Sequence, residues 1–111
     1  MKFDRRQRAR ADALLGIARA GDRVRPIEAS PEPSSIGAQA GFAYDWDDGA
    51  AQSSVYLFES YEDARAAEDH LTIAAQGRGT VNGALLLWMT GDSELSEDLL
   101  GSFAGQEAER D

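Results

Sequence analysis

Few residues in this chain have the types and spacing to do chemistry. His70 is the one imidazole among 111 residues, and there is no Cys. One imidazole cannot build a multi-histidine metal site. With a Ser and an Asp it could complete a hydrolytic triad, but no Gly-x-Ser-x-Gly elbow presents a nucleophile. Between Asp69 and Leu71, His70 reads as a surface or boundary residue of a helix. Without Cys there is no disulfide, no thiolate nucleophile and no thiolate metal ligand.

Three further patterns fail as chemistry. Asp45-x-Asp47-Asp48-Gly49 starts like a calcium loop. Such a loop needs an oxygen ligand at its fifth position, Gly at its sixth and Glu at its twelfth; here these are Gly49, Ala50 and Tyr56. Gly77-Arg78-Gly79 precedes an apolar run, whereas phosphate loops follow a strand and open a helix. The acid pairs Glu62/Asp63 and Glu97/Asp98 fall in the first turns of helices, where the helix dipole stabilises them without any catalytic duty. The sequence nominates no catalytic, cofactor-binding or metal-binding residue, and the expectation is a protein that is not an enzyme.

Charge is distributed unevenly. The net charge is −9. Residues 1–25 hold eight Lys and Arg against three Asp, a surplus of five positive charges. Residues 26–111 hold three Arg against seventeen acids, a net −14. A body this acidic is repelled by nucleic acid and anionic lipid. The basic segment either forms a solvated helix face or lies against acids of its own chain or a neighbour. The longest apolar run, Ala84 to Met89, is far short of the ~20 residues that span a bilayer as helix. The charged stretch from Asp4 to Asp12 is not the apolar core of a secretory signal. As given, the expectation is a cytoplasmic protein, or else a mature envelope domain separated from its signal.

The elements that would position any site follow from pattern and punctuation. Asp4 to Ala20 reads as a helix rich in Ala and Leu, with Gly21 as its C-terminal cap. Val24 to Ile27 is a short strand that Pro26 restricts to an edge. Ser30 to Ser35 is a loop. Phe42, Tyr44 and Trp46 alternate with Ala43, Asp45 and Asp47 along a strand. Asp48-Gly49 signals a two-residue turn with positive φ, and Ser53 to Glu59 returns. Opposed residues then sum to 97, so Phe42 faces Val55 and Tyr44 faces Ser53. Ser60 caps an Ala-striped helix, Asn82-Gly83 turns a short strand into Ala84 to Thr90, and Gly91-Asp92-Ser93 caps a last helix that Gly105 stops. The fold class is α+β: a small, mainly antiparallel sheet of three to five strands with three helices, in the order α-β-β-β-α-β-α. It is one domain, comprising a basic helix (1–25), an acidic α+β body (26–105) and a frayed tail (106–111).

Two strands are apolar on both faces. Phe42, Tyr44, Trp46, Val55 and Leu57 make one face. Tyr56 and Phe58 point the other way, and Leu86 and Trp88 alternate with Leu85, Leu87 and Met89. With all helices on one face, Tyr56, Phe58, Leu86 and Trp88 would form an open apolar strip, too large to leave bare on a monomer. Either the N-terminal helix covers it or a partner does, and these four residues are the candidate partner contacts.

Some local strings resemble small bacterial envelope lipoproteins of uncharacterised function. They are Ala13-Leu14-Leu15-Gly16-Ile17-Ala18-Arg19-Ala20-Gly21, then Val55-Tyr56-Leu57-Phe58-Glu59-Ser60-Tyr61-Glu62-Asp63-Ala64, then Ala84 to Asp92 with Phe103-Ala104-Gly105. The chain departs from that pattern in lacking the lipobox Cys. The resemblance implies an envelope location and carries no activity. The function expected is therefore a non-enzymatic protein-binding or self-associating module, with a protein partner or a second copy, no cofactor and no nucleic acid. The alternative is an acidic inhibitor that mimics nucleic acid and occupies a basic groove.

Overall fold

The hairpin of strands β2 (Ala40–Trp46) and β3 (Ala51–Leu57) forms in the register read from the sequence, with Phe42 opposite Val55 and Tyr44 opposite Ser53. Its turn differs from the expectation. Four residues, Asp47 to Ala50, close it, with Ala50 N–H donating to the Trp46 carbonyl at 3.0 Å. Positive φ falls on Asp47 (50°) and Asp48 (55°) as well as Gly49 (94°). Asp tolerates the left-handed region better than most residues because its short side chain bonds locally. The longer loop thus keeps the register of a two-residue turn.

The computed structural model describes residues 5–108. Four α-helices and five strands make an α+β fold. Beyond the central hairpin lie β1 (Val24–Ile27), β4 (Arg78–Asn82) and β5 (Leu85–Gly91), in the spatial order β1-β2-β3-β5-β4, antiparallel throughout. β1 takes the edge position that Pro26 dictates.

The first helix is two. α1 (Arg5–Leu15) stops where Gly16 adopts φ +70°, and a single turn, α2 (Ile17–Ala20), follows. The Ala-rich pattern continues through Gly16, but a residue free to enter the left-handed region interrupts it. The expected Asp4 cap lies outside the described residues. α3 (Tyr61–Ala74) begins as read: Asp63 N–H donates to the Ser60 hydroxyl at 3.1 Å. α4 (Ser93–Ala108) begins with Leu95 N–H donating to Asp92 Oδ1 at 3.0 Å. It runs through Gly105 instead of stopping there. Of the tail expected from 106, residues 109–111 lie outside the described set.

The largest difference concerns the layers. Helices α1 and α4 cover one face of the sheet, burying Phe42, Tyr44, Trp46, Val55, Leu57, Leu85, Leu87 and Met89 with Ala11, Leu14, Leu15, Leu99 and Phe103. Helix α3 covers the other face. Topology is the cause. The chain leaves β3, builds β4 two positions away, and fills the gap with β5. The β3-to-β4 connection therefore crosses one face, while α4, after β5, returns over the other.

Candidate functional site

The four candidate contacts come together as foreseen, but inside the chain. Tyr56 is 0% exposed, Phe58 2%, Leu86 0% and Trp88 1%. They are corrected to core residues. Ala64, Ala67 and Leu71 of α3 pack on them, joined by Ala29, Ile36 and Ala38 of the β1–β2 loop. Small side chains on α3 let its backbone approach the large residues of the sheet. The loop is tied down by Tyr56, whose hydroxyl donates to the Pro31 carbonyl at 2.6 Å. Burial pushes the Tyr56 phenol up to about 12, against a smaller opposing effect of its bond with Ser54. Without its charge, Tyr56 keeps that hydrogen bond and fills the face.

Polar groups at the margin of this face form a closed network. Asp45, 5% exposed, accepts from Arg25 Nε at 3.2 Å and from Gln52 Nε2 at 2.9 Å. Thr90 Oγ1 donates in turn to Gln52 Oε1 at 3.0 Å. Asp47 instead forms an exposed bidentate pair with Arg23, at 2.9 and 3.0 Å. That hydrogen bond holds the Asp47 carboxyl below its usual range. Asp45 and Asp47, two of the three acids in the calcium-like string, thus serve separate arginines. Among the described residues, no group of three His, Cys, Asp or Glu is placed to hold a metal ion.

The basic segment lies partly against its own chain. Arg8 stacks its guanidinium 3.7 Å from the Phe42 ring centre and donates to the Tyr44 hydroxyl at 3.1 Å. Tyr44 donates to Asp12 at 2.8 Å. Desolvation by α1 raises the Tyr44 phenol. Arg10 bonds Asn82, whose amide donates to the Phe103 carbonyl at 2.8 Å. Arg5, Arg6 and Arg19 remain exposed.

Several concave places exist. One cavity of about 310 Å³ lies between the Gln76–Arg78 stretch, Met89 to Gly91 and the start of α4, and Ser96, 3% exposed, forms part of its wall. The Ser96 hydroxyl has no hydrogen-bond partner among the described residues. His70 is exposed on α3, beside a shallow cleft shared with Ser35 and Phe58.

The outer surfaces of α3 and α4 are acidic. Glu62, Asp63, Asp69, Glu94, Glu97 and Asp98 are exposed and Glu68 is half-buried, with only Arg65 of opposite charge on the described parts of these helices. Arg65 lies 3.6 Å from Glu68. Both helices pack on β4. Sequence reasoning missed this convergence. The acids were visible, but that both helices carrying them pack on the same strand, β4, depends on strand order.

No family model matches the chain, and neither a curated protein nor a solved structure matches it. No described helix is long and apolar enough to cross a membrane.

Proposed function

We propose that the chain is a non-enzymatic protein-binding module that engages a basic surface of its partner through the exposed acids of α3 and α4. The observation that supports this reading is the excess of exposed carboxylates on the two helices flanking β4. The apolar strip first considered as the contact is spent on internal packing, so the recognition available there is electrostatic. Such complementarity favours rapid encounter and discriminates against acidic partners. Mimicry of nucleic acid is a narrower form of the same reading, in which the partner's basic surface is a nucleic-acid groove and duplex DNA competes for it. Self-association would bring exposed Arg5, Arg6 and Arg19 of one copy to the acids of another. The likeness to envelope lipoprotein domains would place the partner at the cell envelope.

The test is titration with polylysine of the natural chain and of a Glu62→Lys, Asp63→Lys, Glu94→Lys, Asp98→Lys variant. All four positions are exposed, and Lys in the first turns of α3 and α4 should cost only about 0.3–1 kcal/mol at each position through the helix dipole. Binding should weaken in the variant, and in both as salt rises from about 0.05 M to about 0.5 M. Equal binding by the two proteins would sink the reading. Sedimentation of the natural chain over the same salt range checks self-association.

A further inference from the structure

The two edges of the sheet are built differently. Along β1, Asp47 N–H donates to the Arg23 carbonyl at 2.8 Å, fixing which residues face the ladder. The alternation of antiparallel pairs then turns Arg25 and Ile27 toward β2 and leaves Val24 and Pro26 facing outward. Pro26 has no N–H, so this edge offers an incoming strand one donor. A proline on an edge is a common way to block further pairing.

β4 carries no such block. Gly83 and Ala84 form a two-residue loop, so Asn82 and Leu85 exchange both of their hydrogen bonds. Thr80 with Leu87 and Arg78 with Met89 follow as bonded pairs. The N–H and C=O groups of Gly79 and Val81 therefore face away from β5, and among the described residues no strand lies beyond β4. Phe58 N–H bonded to the Ala84 carbonyl at 2.9 Å agrees, because it sets the same alternation on the other side of β5. Gly79, Thr80 and Val81 are half-exposed. Neither Pro nor Lys interrupts Arg78–Asn82, and the single charge, Arg78, is held by Glu97 at 2.9 Å.

We propose that β4 accepts an extended basic segment of a partner protein as a sixth strand, bonded to the outward amides of Gly79 and Val81. This rests on the acidic-surface reading. Main-chain bonds supply affinity in strand addition, and the side chains on either side of the added strand supply specificity. Here those side chains would project toward α3 on one face and α4 on the other, both acidic. The same charge opposes pairing of β4 with β4 of a second copy, which would bring like-charged helices together. A lysine- or arginine-rich strand satisfies both the bonds and the field.

The probe is a synthetic six-residue peptide of alternating Lys and Val, set beside the same peptide with every backbone amide methylated. Amide hydrogen exchange is followed residue by residue. In the free chain, Gly79 and Val81 should exchange faster than Thr80 and Asn82. The unmethylated peptide should slow Gly79 and Val81 by about tenfold or more, and the methylated one should not. Val81→Pro, which copies the device at Pro26, should remove the protection. Slow exchange at Gly79 and Val81 in the free chain would overturn the proposal, because the edge would already be covered. Equal binding of the two peptides would overturn strand addition and leave the acidic-surface reading standing. Equal protection by an uncharged Ser-Val peptide would keep the pairing and remove the charge reading. Binding by none of them would end both.

Discussion

Trp88 lies against the backbone of Gly79, its neighbour across the β4–β5 pair. A Cβ on Gly79 would sit 2.7 Å from Trp88 Cε3 and 3.3 Å from the Leu87 carbonyl oxygen. The glycine is there for space, and the indole takes it. Gly79→Ala should therefore cost about 1–3 kcal/mol, the usual range for overpacking. A lower urea midpoint with an unchanged slope would show it. An unchanged midpoint would mean that the indole moves freely aside.

Trp88→Glu should behave as a core mutation. A carboxylate placed at a site that is 1% exposed has no partner there, and several kcal/mol would be lost. Circular dichroism and sedimentation separate the possibilities. Loss of cooperative unfolding is expected. A folded variant that changed only its oligomeric state would restore Trp88 as a contact residue.

Tyr56 ties stability to alkaline pH. Its phenol ionises near 12 when folded and near the usual 10 when unfolded. A raised folded value means that its contribution is intact below about pH 10 and is lost between about 10 and 12. Tyr56→Phe should cost about 0.5–1.5 kcal/mol at pH 7, through the lost bond to Pro31. The difference from the natural chain should shrink at pH 11. Urea midpoints at the two pH values measure it, and a constant difference would contradict the assignment.

Gly49 holds φ at +94° in the β2–β3 turn, with open space around it. Gly49→Val should destabilise by roughly 1–3 kcal/mol through backbone strain alone, because no clash contributes. Gly49→Asn should cost less, since Asn enters the left-handed region more readily. Equal midpoints for Val and Asn would show that the turn rearranges.

His70→Ala should leave the unfolding free energy from urea titration within about 0.5 kcal/mol of the natural chain, as for most exposed positions. It should also leave polylysine binding unchanged. A loss of binding would draw the cleft beside Ser35 and Phe58 into the contact surface.

Much of this molecule is written in local signals. Phe42, Tyr44 and Trp46 against Val55 and Leu57 fix a face and a register, because side chains alternate strictly along a strand. Pro26 marks an edge because it lacks a donor, and Ser60 and Asp92 mark helix starts because they accept from the first free amides. The break at Gly16 was less legible, since Gly within a helical pattern can either continue or end it. The fate of Tyr56, Phe58, Leu86 and Trp88 was not legible at all. Their alternation showed that the second face is apolar, but only the strand order β3-β5-β4 sends α3 across it. The same non-local choice leaves β4 at the rim between two acidic helices. No spacing within a single element encodes that placement, because it depends on which strands become neighbours after the chain has closed.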